Sequence, residues 1–278
     1  MFKFDAVTAV SNVYQPDEIA HHLFDHFRHG EASLKEIKGG RGSRYFGERL
    51  SIKTNDGEEF VAISSGGQHE SLIMLEAKGS FTGEVISFLQ EQYPHHEYSR
   101  LDSCADFDEE GGFDRCNQQL DIIKKNSKLK GSKAGDWEDF PEDGRTRYLG
   151  ATTASMRVRL YEKGKMPECR LLNRPHWFRI EAQLRIEKEV RKYVIDPKPE
   201  DVWKFSPWTR DVVAAVMDQH LEPIRARVAK VSVRDRALQH MAKQYGKHLS
   251  SLSDELGSWQ AVGLTIADLI QDQRDSRA

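Results

Sequence analysis

Cysteine is scarce in this chain. The three residues, Cys104, Cys116 and Cys169, are odd in number and too widely spaced for a metal knuckle or a disulfide framework. A reducing compartment, the cytoplasm, is therefore expected. Long apolar runs are missing too: nothing approaches the ~20 apolar residues of a membrane span. The opening Met1-Phe2-Lys3-Phe4-Asp5 has no apolar leader core, so a soluble protein with no membrane partner is expected. An excess of either charge is absent, with 41 Lys and Arg against 44 Asp and Glu for a net −3, which excludes a simple polybasic nucleic-acid binder. None of the eleven histidines forms His-x-His. His22 and His26 share a helix face without the glutamate of a zinc-protease pattern, and a solvated helix accounts for them. The Gly-rich basic stretch from Lys35 to Arg49 lacks the Gly-Lys-Ser/Thr ending of a phosphate-binding loop and is expected to be a loop or hairpin end.

What is present fits a globular protein: 278 residues, 38% hydrophobic and 31% charged, enough for one large domain or two modest ones. Helical spacing of Ile19, Ala20, Leu23, Phe24 and Phe27 predicts a helix from Asp17 to Gly30. Asn55-Asp56-Gly57 predicts a hairpin between strands 49–54 and 60–64, followed by a strand at 72–77 and a helix at 84–93. Alternation predicts a strand at 98–107, helical spacing a helix at 111–127, and Pro141 an acidic loop over 131–143. Strands follow at 146–151, 155–163 and 176–186, then helical patterns at 200–218, 220–229, 232–252 and 258–272. The expected fold is α+β: an antiparallel sheet core with helices on one side, in residues 1–195, and a helical C-terminal region in 196–278. No internal repeat shows in the sequence, although the strand-rich halves 45–107 and 144–186 invite a structural relation.

Charge is unevenly distributed. From Arg145 to Lys192 thirteen Arg and Lys face five Glu, a net of +8 that leaves −11 elsewhere. Such a basic segment suits a polyanion site, or equally a solvated strand face. The two-residue period of a strand sorts its residues onto two faces. In 155–163, Met156, Val158 and Leu160 oppose Arg157, Arg159, Tyr161 and Lys163. In 178–185, Phe178, Ile180, Ala182 and Leu184 oppose Arg179, Glu181, Gln183 and Arg185. In 100–107, Leu101, Ser103, Ala105 and Phe107 oppose Arg100, Asp102, Cys104 and Asp106. Aspartate is depleted in strands, so Asp102 and Asp106 on one face point to a tertiary purpose. Ion pairing with Arg is one such purpose. Metal-assisted phosphodiester cleavage is another, with carboxylates holding Mg²⁺ or Mn²⁺, cations offsetting phosphate charge and a phenol as nucleophile.

Four segments carry a family resemblance: Ser-Arg-Leu-Asp-Ser-Cys-Ala-Asp-Phe-Asp at 99–108, Tyr-Leu-Gly-Ala-Thr-Thr-Ala-Ser at 148–155, Arg-Val-Arg-Leu-Tyr-Glu-Lys-Gly at 157–164 and Phe-Arg-Ile-Glu-Ala-Gln-Leu-Arg at 178–185. In this order they resemble the motifs of the Rep-trans family, rolling-circle replication initiators of plasmids and filamentous phages. The resemblance implies an enzyme that nicks one strand at an origin, keeps the 5′-phosphate on tyrosine and later rejoins the strand. Tyr161 is then the nucleophile, with Lys163 and Arg159 beside it, and Tyr148 the second candidate. Asp102, Asp106 and Glu181 match the family's metal cluster, while Arg157, Arg179, Arg185 and Arg147 suit phosphate. The implied partners are double- and single-stranded origin DNA, a host helicase and a second copy of the chain. Ala151 stands where the family has serine, and the helical tail fits the filamentous-phage branch better than the plasmid branch.

Other readings stay open. The same sheet could serve a non-catalytic DNA-binding protein or a metallonuclease that uses water. In the tail, Leu238, Met241, Tyr245, Leu249, Leu252 and Leu256 form an apolar stripe, and Val262, Ile266, Leu269 and Ile270 another beyond Gly257. Two such helices suit a dimer surface, a packing lid or a helix-turn-helix reader of DNA.

Overall fold

A computed structural model describes residues 2–28, 30, 33–42, 45–139, 143–223 and 233–275. The chain divides into two compact units, Met1–Arg225 and Ala226–Ala278.

In the first unit ten strands form one antiparallel sheet. In chain order they are β1 Lys3–Ser11, β2 Leu34–Arg41, β3 Glu48–Thr54, β4 Glu59–Gly66, β5 His69–Lys78, β6 Glu97–Asp108, β7 Gly131–Ala134, β8 Thr146–Leu149, β9 Met156–Tyr161 and β10 Trp177–Arg185. The spatial order is β2-β3-β4-β5-β1-β6-β10-β9-β8-β7. The helices are α1 Pro16–Phe27, α2 Thr82–Gln92, α3 Gly112–Asn126, α4 Lys188–Arg191, α5 Asp201–Lys204 and α6 Pro207–Met217. The expected α+β architecture is what forms, with every pair of neighbouring strands antiparallel.

The sheet contains one topology twice. A strand, a helix and four further strands run as β1-α1-β2-β3-β4-β5, and the same succession recurs as β6-α3-β7-β8-β9-β10. In each, the first strand pairs with the last, and β1 meets β6 at the centre. The related halves are therefore longer than the strand-rich stretches 45–107 and 144–186 suggest.

Alternation decides which face meets the helices. Val7, Leu101, Phe178, Ile180, Val158 and Leu160 are buried in one core with Leu23 of α1, Phe88 of α2 and Leu120 of α3. Full burial of such a side chain contributes roughly 1.5–3 kcal/mol. Helices α5 and α6, which the sequence groups with the C-terminal region, pack here as well. Trp203 of α5 is wholly buried and donates from its indole Nε1 to Ser103 Oγ at 3.0 Å. Thr209 of α6 in turn donates to the Trp203 carbonyl at 2.7 Å.

Two stretches differ from expectation. The Gly-rich segment after Lys35 is largely strand β2, because its backbone pairs with β3 from Leu34↔Thr54 to Arg41↔Glu48. The acidic loop begins as strand β7, paired with β8, before the chain turns. The predicted hairpin forms at Asn55–Gly57, with Gly57 at φ +88°.

Among its described residues the second unit is a pair of helices, α7 Val233–Leu256 and α8 Trp259–Asp275, broken at Gly257 with φ +76°. Met241, Tyr245 and Leu256 of the predicted stripe are exposed, as are Leu269 and Ile270. The side chain of Leu238 and most of the predicted 220–229 helix lie outside the described residues. Among the described residues no helix is long and apolar enough to cross a membrane.

Candidate active site

The face of the sheet opposite the α1, α2 and α3 core carries its polar residues in rows, because directly paired residues share a face. One row reads Thr146, Tyr161, Arg179, Asp106 across β8, β9, β10 and β6. The next reads Tyr148, Arg159, Glu181, Cys104 and ends on Lys3 of β1. A third reads Arg157, Gln183, Asp102 and Ala6. Ten of the eleven residues singled out in the sequence lie on this face or at its ends. The exception is Arg147, which pairs with Leu160, turns to the helix side, and from its buried position forms an ion pair with the half-exposed Asp121 of α3. The two-residue period puts it with Leu149 rather than with Tyr148.

One residue of this cluster is not apparent from the sequence pattern. The β1–β6 register slips between Phe4 and Ala6, a bulge that turns Asp5 onto the polar face. Asp5 Oδ1 accepts from Arg179 Nη1 and, at 3.7 Å, from Cys104 Sγ. Lys3 reaches Asp106 at 2.5 Å from the same strand. Trp177 Nε1 donates to Asp106 at 3.1 Å, and Gln183 Nε2 approaches Asp102 at 3.5 Å.

The cations divide into clamped and available ones. Arg179 is buried and spans Asp106, at 2.7 and 2.8 Å, and Asp5. Its donors are committed, so it stiffens the floor of the site. Arg159 donates to Glu181 at 2.7 Å while its guanidinium covers the Tyr161 ring at 4.1 Å, and its Nε is buried without a partner. Arg157 stacks 4.1 Å over Tyr148, makes no ion pair among the described residues, and also has an orphaned buried Nε. Unsatisfied buried donors are costly, and an anion laid across this face would satisfy both. Lys163 sits 4.9 Å over the Trp177 ring. At the far end of the face, Arg185 donates to the carbonyls of Thr152 and Ala154 and so braces the β8–β9 loop. That loop turns at Gly150, φ +88°, where a Cβ would stand 2.6 Å from the Met156 carbonyl oxygen.

Burial dominates the electrostatics. Tyr161 is 7% exposed, and burial pushes its phenol up to about 12 although Arg159 and Arg179 pull it down. Burial also lifts Glu181 to about 7; Arg159 opposes this, while the negative Asp5 and Asp102 reinforce it. Asp102, 1% exposed, is raised by burial despite its bidentate partner Arg100. Asp106 differs: burial would raise it, but Arg179 and Lys3 hold it well below the usual carboxylate range. Burial and the nearby Arg179 depress the Lys163 ammonium.

Among the described residues no group of three His, Cys, Asp or Glu is preassembled around a metal position. The donor chemistry still separates the carboxylates. Asp106 has its charge met by Arg179 and Lys3. Glu181, Asp102 and Asp5 each have a single guanidinium partner, Arg159, Arg100 and Arg179, and the negative Asp5 and Asp102 add to the rise of Glu181. Hard oxygen donors in that condition suit a small divalent cation. Asp5 lies beside Glu181 and Asp102, and Asp106 stands one row further along the same face.

No family model matches the chain, and no curated protein matches it by sequence. Among solved structures it is similar to a rolling circle replication initiator protein from Geobacillus stearothermophilus, with a TM-score of 0.47 and 18% identity over 82% of this chain and 90% of that one. Likeness that slight carries no activity across.

Proposed function

We propose that the chain is a DNA strand-nicking and strand-joining enzyme of the rolling-circle initiator type, acting through Tyr161. The observation that carries this reading is the row in which Tyr161 lies under Arg159, and Arg159 bridges to a strained, buried Glu181. Arg157 and Arg159, with unsatisfied donors on the same face, are the groups that receive the phosphodiester. The buried phenol is not ionised at neutral pH, so its proton must leave as it attacks. Lys163, whose amine is easier to obtain neutral than an exposed lysine's, accepts that proton. The Tyr161 Oη–phosphorus bond forms as the phosphorus–O3′ bond breaks. The leaving oxygen takes the proton back from Lys163, leaving a 5′-phosphotyrosine and a free 3′-OH. Attack of a 3′-OH on the phosphotyrosine reverses the step and joins the strand. Guanidinium groups already fixed around the phosphate stabilise the added negative charge of the transition state. Asp102, Glu181 and Asp5 would hold Mg²⁺ or Mn²⁺, which when bound supplies further positive charge at the phosphate.

The test is an SDS-stable protein–DNA adduct formed from a random-sequence single-stranded DNA pool with Mg²⁺ or Mn²⁺. Wild type is expected to form the adduct and Tyr161→Phe to lose it, while Tyr148→Phe retains it. Loss in Tyr148→Phe alone would move the nucleophile to Tyr148. Cleavage without an adduct, indifferent to Tyr161→Phe, would favour a water-using metallonuclease. DNA binding with no cleavage by wild type would favour a non-catalytic DNA-binding protein.

A further inference from the structure

The connection from β9 to β10 leaves the sheet directly after Tyr161 and returns at Trp177. Its base is tightly built. Gly164 lies so close to the Arg174 carbonyl that a Cβ would stand 1.9 Å from the oxygen, and Cys169 is buried. A 3₁₀ turn, Pro167–Leu172, is closed by Cys169 N–H donating to the Met166 carbonyl at 2.9 Å and ends on Asn173 at φ +50°. On the return, Arg174 donates to Asp108 at 2.8 Å and stacks 4.4 Å over Trp177, whose indole holds Asp106 beside the clamped Arg179. From this braced base two adjacent leucines project: Leu171 is 96% exposed and Leu172 58%. Scattered exposed leucines need no explanation. A pair at the tip of a braced turn, one of them almost wholly in water, is a different arrangement.

We infer that the Leu171–Leu172 tip is a wedge that enters a base step of duplex DNA beside the strand held on the Tyr161 face, an inference that rests on the nicking reading above. The tip's surroundings favour duplex DNA as its occupant. The segment Lys163–His176 carries four Lys and Arg against the single acid Glu168, a polyanion-facing setting for an apolar tip. A second copy of the chain would bring the same positive segment against itself. Apolar side chains flanked by cations part base steps in this way, and new contacts offset the cost of unstacking. The geometry also meets a need of the chemistry. A strand can lie across a flat sheet face only once it is separated from its complement, and the wedge leaves the sheet where the nucleophile does.

The experiment uses the full chain and the DNA sequence recovered in the adduct, placed in a supercoiled plasmid and in a duplex with a pre-opened bubble. For Leu171→Ser/Leu172→Ser, the ratio of plasmid cleavage to bubble cleavage is expected to fall about tenfold or more, as loss of an inserted apolar wedge requires. Leu171→Phe, an apolar wedge again, is expected to keep the wild-type ratio. With 2-aminopurine at successive positions of the linear duplex, wild type is expected to brighten one step and the double serine variant none. Matching thermal unfolding curves exclude a folding defect. An unchanged ratio, or equal losses on both substrates, overturns the wedge while leaving the nicking reading standing. A wild-type dimer that the serine variant converts to monomer, with the ratio unchanged, reassigns the tip to self-association. Absence of an adduct on every substrate removes the nicking reading, and the wedge with it.

Discussion

The two halves of the sheet share a topology and part company in chemistry. With the paired glutamates Glu76 and Glu181 set in register, Thr8 opposite Glu76 takes the place of Cys104 opposite Glu181. Stepping outward from those pairs, Ala6 stands where the second half has Asp102 and Val10 where it has Asp106. Met74 replaces Arg179, Ala62 replaces Arg159 and Ser64 replaces Tyr161. The first half keeps a polar face, but a closed one: Arg49 is shared by Glu59 and Glu76, and Ser51 donates to Glu59 at 2.6 Å. The second half has orphaned guanidinium donors, a buried phenol and a glutamate held near neutrality. One backbone plan thus supports an ion-paired surface on one side of the β1–β6 seam and a reactive one on the other. The difference lies in side chains at a handful of paired positions.

The largest contrast should come from the two positions that match across the seam. Tyr161→Phe is expected to lower adduct formation by at least ~10³-fold, as removal of a nucleophile does. Ser64→Ala, its counterpart, should leave the adduct rate within about twofold, the scatter of a change outside the reacting groups. Radiolabelled-adduct gels measure both. Comparable losses in the two variants would mean that the face works through stability alone. Next in size is the arginine contrast. Arg159→Ala is expected to cost about 10²-fold in adduct rate, the worth of a fixed donor to a transition-state oxygen. Arg49→Ala should leave that rate unchanged and cost about 1 kcal/mol of stability or less, since its partners are partly solvated.

A pH contrast is smaller but has a definite sign. Because Glu181 is raised when folded, the native state binds a proton that the unfolded state releases. Its contribution is greatest below the usual carboxylate range and is lost as pH rises through about 7. Thermal melts should therefore show wild type losing stability over that range and Glu181→Gln losing less. Added Mg²⁺ or Mn²⁺ should restore wild type above pH ~7 and not Glu181→Gln. Identical melts with and without metal would sink the carboxylate group as a cation site. Smallest is the acid limb. Burial alone would raise Glu162, but bonds from Arg145 and Lys165 hold it below its ordinary value, so its contribution disappears as pH falls through the carboxylate range. Glu162→Gln should flatten that limb in acid titration melts. Glu59 in the first half is held down in the same sense, by Arg49 and Ser51 against burial, but lies nearer solvent and should flatten it less.

Legibility followed the regularity of the strands. The alternating runs of β6, β9 and β10 announce both the core and the polar face, and the Asn55–Gly57 turn announces its hairpin. Strand β1 was not legible, because the bulge at Asp5 puts adjacent residues on one side and breaks the two-residue period. Strand β7 is short, polar and exposed throughout, so it has no alternation to read. Arg147 shows the reverse case: its basic character beside Tyr148 suggested phosphate contact, and its strand position puts it on the side of Leu149, against Asp121.

Net charge of −3, the basic segment, the α+β class and the side of each strand that carries Tyr161, Arg159 and Glu181 are properties of the sequence itself, because charge and a two-residue period need no partner to be counted. Tertiary structure alone decided that Asp5 joins Glu181 and Asp102 on the polar face, that Arg179 is clamped while Arg157 makes no ion pair among the described residues, and that two leucines are left in water. Those outcomes depend on register, on a bulge and on which strands become neighbours. They are set by contacts between segments far apart in the chain, which no local pattern encodes.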